Sequence, residues 1–239
     1  MATYLNLTNE LLRRLNEVTI DSGDFATVRN IQALAKDAIN SSIRNILQSA
    51  QEWSFTLTTK EQTLTAGTQE YDFPTAASSV DWESFYLKKL ASVDNASQKL
   101  PVIPYAEYLS DYRASDDDSG TGGRGVPMRV YQTQTTKFGV SPVPDAEYVI
   151  EYKYWAFPSD LSAYSDTCII PDRFNHVIIT GAMMYMMRFR SNDQSAQLHA
   201  NEFEDGIKMM RRLLQDDHLA VRSTYIVNNR YNSVVLPNP

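Results

Sequence analysis

The sequence predicts an α+β protein. It has a four-helix bundle core built from two N-terminal and two C-terminal helices, an inserted antiparallel β domain, and an extended C-terminal arm. Three observations predict this. Apolar residues recur every three or four positions over residues 25–51 and again over 172–216, the period of a helix with one buried face. Between these stretches the period switches to two, in short runs separated by turn residues, which is the pattern of strands joined in sequence. Beyond residue 218 neither period holds, yet apolar and aromatic side chains persist. The divisions that follow are 1–52 for the first half of the helical core, 53–171 for the β domain, 172–218 for the second half of the core and 219–239 for the arm.

The first helix is expected over residues 3–17, with Leu5, Leu11, Leu12 and Leu15 on its apolar face. Thr8, Asn9 and Glu10 supply an early cap, and Ser22, Gly23 and Asp24 end it. A longer helix is expected over 25–51, without Gly or Pro. Phe25, Val28, Ile31, Leu34, Ala35, Ala38, Ile39, Ile43, Ile46 and Leu47 form its stripe, and Arg29, Asn30, Lys36, Asp37, Asn40 and Arg44 lie opposite. Trp53, Phe55 and Leu57 then alternate with Ser54, Thr56 and Thr58 as a half-buried strand. Residues 61–64 and 71–73, joined through Ala66, Gly67 and Thr68, read as a hairpin ending at Pro74. Further strands are expected at 85–90, 99–103, 128–134, 136–140 and 148–157, with a short helix at 105–112. Sequential strands with short turns make an antiparallel sheet or a small sandwich. In the last strand Tyr148, Ile150, Tyr152 and Tyr154 share one face, with Val149, Glu151, Lys153 and Trp155 on the other. Cover on both faces follows, by an interface or by a sandwich core.

Residues 115–125, with three aspartates and four glycines, read as a flexible surface loop. Helical periodicity returns at Pro171, suited to a helix start. The helix over 172–190 is apolar on most sides and belongs at the centre of the bundle. The next, over 194–216, carries the stripe Ala196, Ala200, Phe203, Ile207, Met210 and Leu214. Its acids precede its bases, as the helix dipole favours, and Glu204 and Lys208 are spaced as an i,i+4 pair. Six of the eight methionines lie in these two helices. Because adjacent pairs cannot all face one way, some are expected to reach a second surface, such as a neighbouring subunit. The arm holds Arg222, Tyr225, Ile226, Val227, Arg230, Tyr231, Val234, Val235 and Leu236 and no acid. Its 21 residues span up to ~70 Å when extended, which marks a segment that wants a partner.

Composition bounds the function. A chain of 239 residues with 43% hydrophobic residues affords a core without disulfides or metals. The single cysteine, Cys168, forms no internal disulfide, which suits synthesis in a reducing cytosol. The start of the chain lacks a basic region followed by an apolar stretch, and no run of ~20 apolar residues occurs, so neither a secretory signal nor a membrane span is expected. A net charge of −7 argues against a DNA-gripping surface, whereas an acidic wall lets a duplex slide.

No catalytic, cofactor or metal site is expected. Gly120, Gly122 and Gly125 match G-x-G-x-x-G, but an acidic run precedes them and Pro127 follows, where a dinucleotide site needs a strand and a helix. Asp116, Asp118 and Gly120 lack the closing glutamate of a calcium loop. His176, His199 and His218 form no metal spacing. His199 with Glu202 supplies two ligands at most, and no G-x-S-x-G occurs. Cys168, before Ile169 and Ile170, reads as a small buried hydrophobe.

The order of elements resembles the head-to-tail adaptors of short-tailed phages, the tail tubular protein A-like family. The residues that carry the resemblance are Ala50-Gln51-Glu52-Trp53-Ser54-Phe55 at the end of a long helix, Leu64-Thr65, and Tyr71-Asp72-Phe73-Pro74. The later ones are Ile170-Pro171-Asp172-Arg173-Phe174 and Met187-Arg188-Phe189-Arg190. The resemblance implies a virion structural protein of the phage neck, assembled in the host cytoplasm, with no enzymatic activity and no cofactor. It implies a ring, a dodecamer in that family, between the portal protein and the tail nozzle protein, through which double-stranded DNA passes without sequence-specific contacts. Residues 219–239 would then be the portal-binding arm. The β insertion is longer than in compact members of the family. A different reading of the same residues is a virion or surface module that uses the β domain for fibre or ligand attachment.

Overall fold

The computed structural model describes residues 1–49, 52–88, 97–116 and 123–214. The chain is mixed α+β with mainly antiparallel sheets. Its buried side chains gather into two large clusters, one from helices and one from strands.

The helical cluster starts with α1 (Tyr4–Arg14), capped by the Thr3 hydroxyl, which accepts the Asn6 N–H at 3.3 Å. Thr8 and Asn9, expected as the cap, do other work. The Thr8 hydroxyl donates to the Tyr4 carbonyl at 2.8 Å. The Asn9 amide donates to the Ile20 carbonyl (2.9 Å) and accepts its N–H (2.8 Å), fastening the loop behind the helix. The second helix, α2 (Asn30–Ser49), begins five residues later than its periodicity suggests. Residues 21–27 form turns instead, because turning there buries Phe25 edge-on against Tyr4 at 5.1 Å between ring centres.

The long helices α5 (Asn175–Phe189) and α6 (Asp193–Leu214) join the same cluster. Pro171 caps a short 3₁₀ turn (Asp172–Phe174) that leads into α5. Gly181 marks the closest approach. A Cβ there would stand 2.3 Å from Ser42 Oγ on α2 and 2.6 Å from the Phe203 ring on α6. Of the methionines, Met183, Met184, Met186 and Met210 are buried and Met209 is exposed. Lys208 pairs with Asp205 at 2.9 Å, not with Glu204 as the spacing suggests.

The strands are β1 (Leu57–Leu64), β2 (Glu70–Asp72), β3 (Ala77–Lys88), β4 (Gln98–Lys99), β5 (Val102–Ile103), β6 (Arg124–Gly125), β7 (Arg129–Gln134), β8 (Lys137–Ser141), β9 (Val143–Pro144) and β10 (Tyr148–Ala156). They form a sheet of order β1-β10-β3-β4, a second of order β2-β8-β7-β5, and a β6-β9 pair. Two expectations are corrected here. Residues 53–56 are not strand: Ser54–Thr56 is a 3₁₀ turn, stabilised by the Thr56 hydroxyl donating to the Trp53 carbonyl at 2.8 Å. The segments at 61–64 and 71–73 are not a hairpin. β1 pairs with β10 and β2 with β8, so the two lie in different sheets. The expected strand at 99–103 is two short pieces, since Pro101 has no N–H to donate. The β5–β7 and β6–β9 pairings are parallel, departing from an all-antiparallel arrangement. Between β5 and β7, residues 105–116 are helical in three short pieces, α3 (Tyr105–Glu107), a wider turn (Tyr108–Tyr112) and α4 (Arg113–Asp116).

Both sheets contribute to one aromatic core. Phe85, Ile150, Tyr152 and Tyr154 come from the first, and Tyr71, Val130, Phe138 and Val140 from the second. The open question about β10 is thereby answered: Ile150, Tyr152 and Tyr154 face this core, while Lys153 on the other face is exposed.

Candidate functional site

Two connections join the helical and β regions, and side chains brace both. The Trp53 indole donates to the Ile46 carbonyl at 3.1 Å just after α2. On the return, Asn40 of α2 donates to the Leu161 carbonyl (3.0 Å) and to the Tyr4 hydroxyl (3.1 Å) and accepts the Leu161 N–H (3.2 Å). Arg44 pairs with Asp160 in the same loop. Asp166 accepts the N–H groups of Ser162 (2.7 Å) and Ala163 (2.8 Å), and these bonds hold its carboxyl below the usual carboxylate range. The end of α6 meets the same junction, where the Arg211 guanidinium donates to the Ser49 carbonyl.

Beyond the junction lies a cleft of about 560 Å³ between β3 and the β7–β8 turn. Its chemistry starts in the β3–β10 pairing. The register shifts between Glu151 and Lys153, where residues 82–85 of β3 leave the ladder. Ser84 holds this bulge: its hydroxyl accepts the Lys153 N–H at 2.8 Å and donates to the Asp81 carbonyl at 2.6 Å. Such bulges re-aim side chains, and here Trp82 is turned toward the second sheet. It stacks on Phe85 (5.5 Å) and meets Phe73 edge-on (5.6 Å). Trp82 also borders two further hollows of about 510 and 420 Å³, toward Lys99–Val102 and toward Pro104 and Tyr105. Nothing in the chemistry of this cleft pairs a nucleophile with a base. Its hydroxyls (Thr75, Ser78, Ser79, Thr135, Thr136), its aromatic floor and its backbone suit binding.

A second surface lies on α6. Its buried stripe is Ala196, Phe203, Ile207 and Met210, and on the opposite face Leu198, Met209 and Leu213 are each more than half exposed. Phe189, at the end of α5, is 61% exposed. Exposed apolar residues grouped on one element mark contact surfaces more often than scattered ones do.

The nine arm residues, from Arg222 to Leu236, lie outside the described residues, as do Asp118 and Gly120 of the acidic loop. The residues read as chemically inert are placed as follows. Cys168 is buried, and burial pushes its thiol up to about 11. His199 Nδ1 lies 3.2 Å from Glu202, and among the described residues no group of three His, Cys, Asp or Glu side chains is placed to hold a metal. No described helix is long and apolar enough to cross a membrane. Sequence reasoning missed Trp82 and the bulge that aims it.

No curated protein matches the chain. The sequence model of one family, SU10 adaptor protein, matches residues 2–227, which takes in all the described helices and both sheets. A match of that extent places the whole described architecture within one family: the chain belongs to the SU10 adaptor protein family and is a phage adaptor, a structural component of the virion.

Proposed function

We propose that this adaptor works without enzymatic activity as a ring in the phage neck, joining the portal protein to the tail nozzle protein. The observation that carries the reading is the family match over residues 2–227. Residues 1–52 and 172–218 form the helical core of each subunit, residues 53–171 the inserted β domain, and residues 219–239 the arm that docks on the portal. Within the arm, Tyr225, Ile226, Val227, Tyr231, Val234, Val235 and Leu236 supply apolar contact, and Arg222 and Arg230 charge. The exposed face of α6 (Leu198, Met209, Leu213) supports lateral contact between subunits, twelve of which close the ring. The net charge of −7 suits a channel wall along which double-stranded DNA slides without being gripped. Assembly takes place in the host cytoplasm and needs no cofactor.

The test is mass by light scattering, with the purified protein alone and mixed with its portal. The expected result is a large ring complex that forms with the portal from subunits of 27.1 kDa. A 27.1 kDa species that ignores the portal would overturn the reading. It would favour a second one, a virion module whose β domain attaches a fibre or ligand, and the Trp82 cleft is the feature that supports that alternative.

A further inference from the structure

Trp82 is a common wall of three hollows. The 560 Å³ cleft and the 420 Å³ hollow share Trp82 and Gln132, and the 420 and 510 Å³ hollows share Trp82 and Val102. Together they make a groove that passes the indole, from Thr75 on one side to Tyr105 on the other. The indole is fixed before anything binds. It stacks on Phe85 and meets Phe73 edge-on, and the Ser84 bonds hold the bulge that carries it. A ring held in this way loses little freedom on meeting a ligand.

The chemistry of the groove narrows the ligand. The charged side chains bordering the three hollows are Asp72, Glu83 and Lys99. Asp72 lies 3.6 Å from Lys137 and Glu83 lies 3.9 Å from Lys99. Each already faces an opposite charge, so an ionic ligand meets no spare counter-charge among the described residues. The other polar groups are neutral. Among the described residues, the hydroxyls of Thr75, Thr135 and Thr136 and the indole N–H of Trp82 have no hydrogen-bond partner. The Gln132 amide makes one long bond, 3.4 Å, to the Gln134 carbonyl. Hydroxyl and amide groups both donate and accept. A wholly apolar ligand would strip water from them and return no bond. A ligand that suits both the indole and its surroundings has a flat face of C–H groups and a rim of hydroxyls, which describes a pyranose ring.

We propose that this groove binds a neutral oligosaccharide, with one sugar ring laid against Trp82 and its hydroxyls bonded by Gln132, Thr135 and Thr136. The adjoining hollows, toward Lys99–Val102 and toward Tyr105, take the neighbouring units, so the site selects a chain over a single sugar. The groove lies within one subunit. The inference therefore goes beyond the adaptor reading and does not depend on a ring.

The test is titration of the full chain with cellohexaose, maltohexaose and chitohexaose, followed by calorimetry. The expected result is saturable binding of at least one of them, with a Kd of about 1 mM or below. Trp82→Ala should weaken it by about tenfold or more. Because that ring also packs on Phe85, a second variant reads the site from an exposed side chain: Gln132→Ala should weaken binding by about threefold to tenfold and leave the unfolding temperature unchanged. Trp155→Phe, which borders none of the three hollows, should bind as the unaltered chain does. Binding that survives both Trp82→Ala and Gln132→Ala would put the sugar elsewhere and overturn the proposal. No binding of any of the three sugars at about 10 mM would also overturn it, as would tighter binding of a heparin hexasaccharide than of every neutral one. Failure of the portal mixing experiment would leave these titrations unchanged, so the two readings fail separately.

Discussion

The helical and β regions bury their cores by different means. In the helical cluster nearly every buried polar group is answered locally. Thr8 bonds Tyr4, Ser42 donates to the Ile178 carbonyl at 2.8 Å, and Trp53 bonds Ile46; Asn175 Oδ1 is left without a partner. The β cluster is more aromatic. Phe73, Phe85, Phe138 and Tyr152 all lie within 4.9–5.7 Å of one another where they touch, and the Tyr152 hydroxyl is buried with no partner. The difference follows from backbone geometry. A helix satisfies its own N–H and C=O groups, so side chains alone close a helical cluster. A sheet carries its unsatisfied groups to its edges, and among the described residues β3 has one strand partner, β10, over residues 77–81.

That contrast breaks most clearly at Phe138. Its ring touches Tyr71, Phe73, Phe85 and Tyr152, and it is fully buried between the sheets. Phe138→Ala is expected to cost about 3–5 kcal/mol, measured by denaturant unfolding. If the two regions unfold independently, near-ultraviolet dichroism from the β aromatics will shift and helical far-ultraviolet dichroism will not. A coincident shift would show that the junction at Trp53 and Asn40 couples them. The converse change is Gly181→Ala. Its methyl would meet Ser42 and Phe203, and Ser42 is held by its bond to Ile178. Overpacking there is expected to cost about 1–3 kcal/mol, read in the helical signal.

The sequence made the helices far more legible than the strand pairing, and the reason is physical. A helix is determined by residues three and four apart, so α6 appears directly as a stripe around Phe203, and α5 as a run around Ile178 that is apolar on most sides. Pairing is decided by residues far away. β1 and β2 look like neighbours because they are close in sequence, yet β1 finds β10, some ninety residues on, and β2 finds β8. The start of α2 was misplaced for a related reason: Phe25 keeps helical spacing while its backbone turns to reach Tyr4. The Trp82 site did leave a trace. Val80 and Trp82 share one parity and Phe85 and Leu87 the other, and such a switch within one strand marks an inserted residue. What no local pattern reveals is that the bulge faces a cleft, since that depends on where the second sheet lies.

The smallest expected effect tests the contrast from the opposite side, by improving the β core. Burial pushes the Tyr152 hydroxyl up to about 12, so it stays neutral at any ordinary pH and its cost is that of an unanswered hydroxyl, not of a charge. Tyr152→Phe removes that hydroxyl and keeps the ring that stacks on Phe85 at 4.9 Å. An unsatisfied buried polar group costs about 1–3 kcal/mol. Losing the hydroxyl leaves a small void that offsets part of this, so a net gain of about 1 kcal/mol is expected. Thermal unfolding measures it. A loss of stability would mean that the hydroxyl is answered in solution by an ordered water.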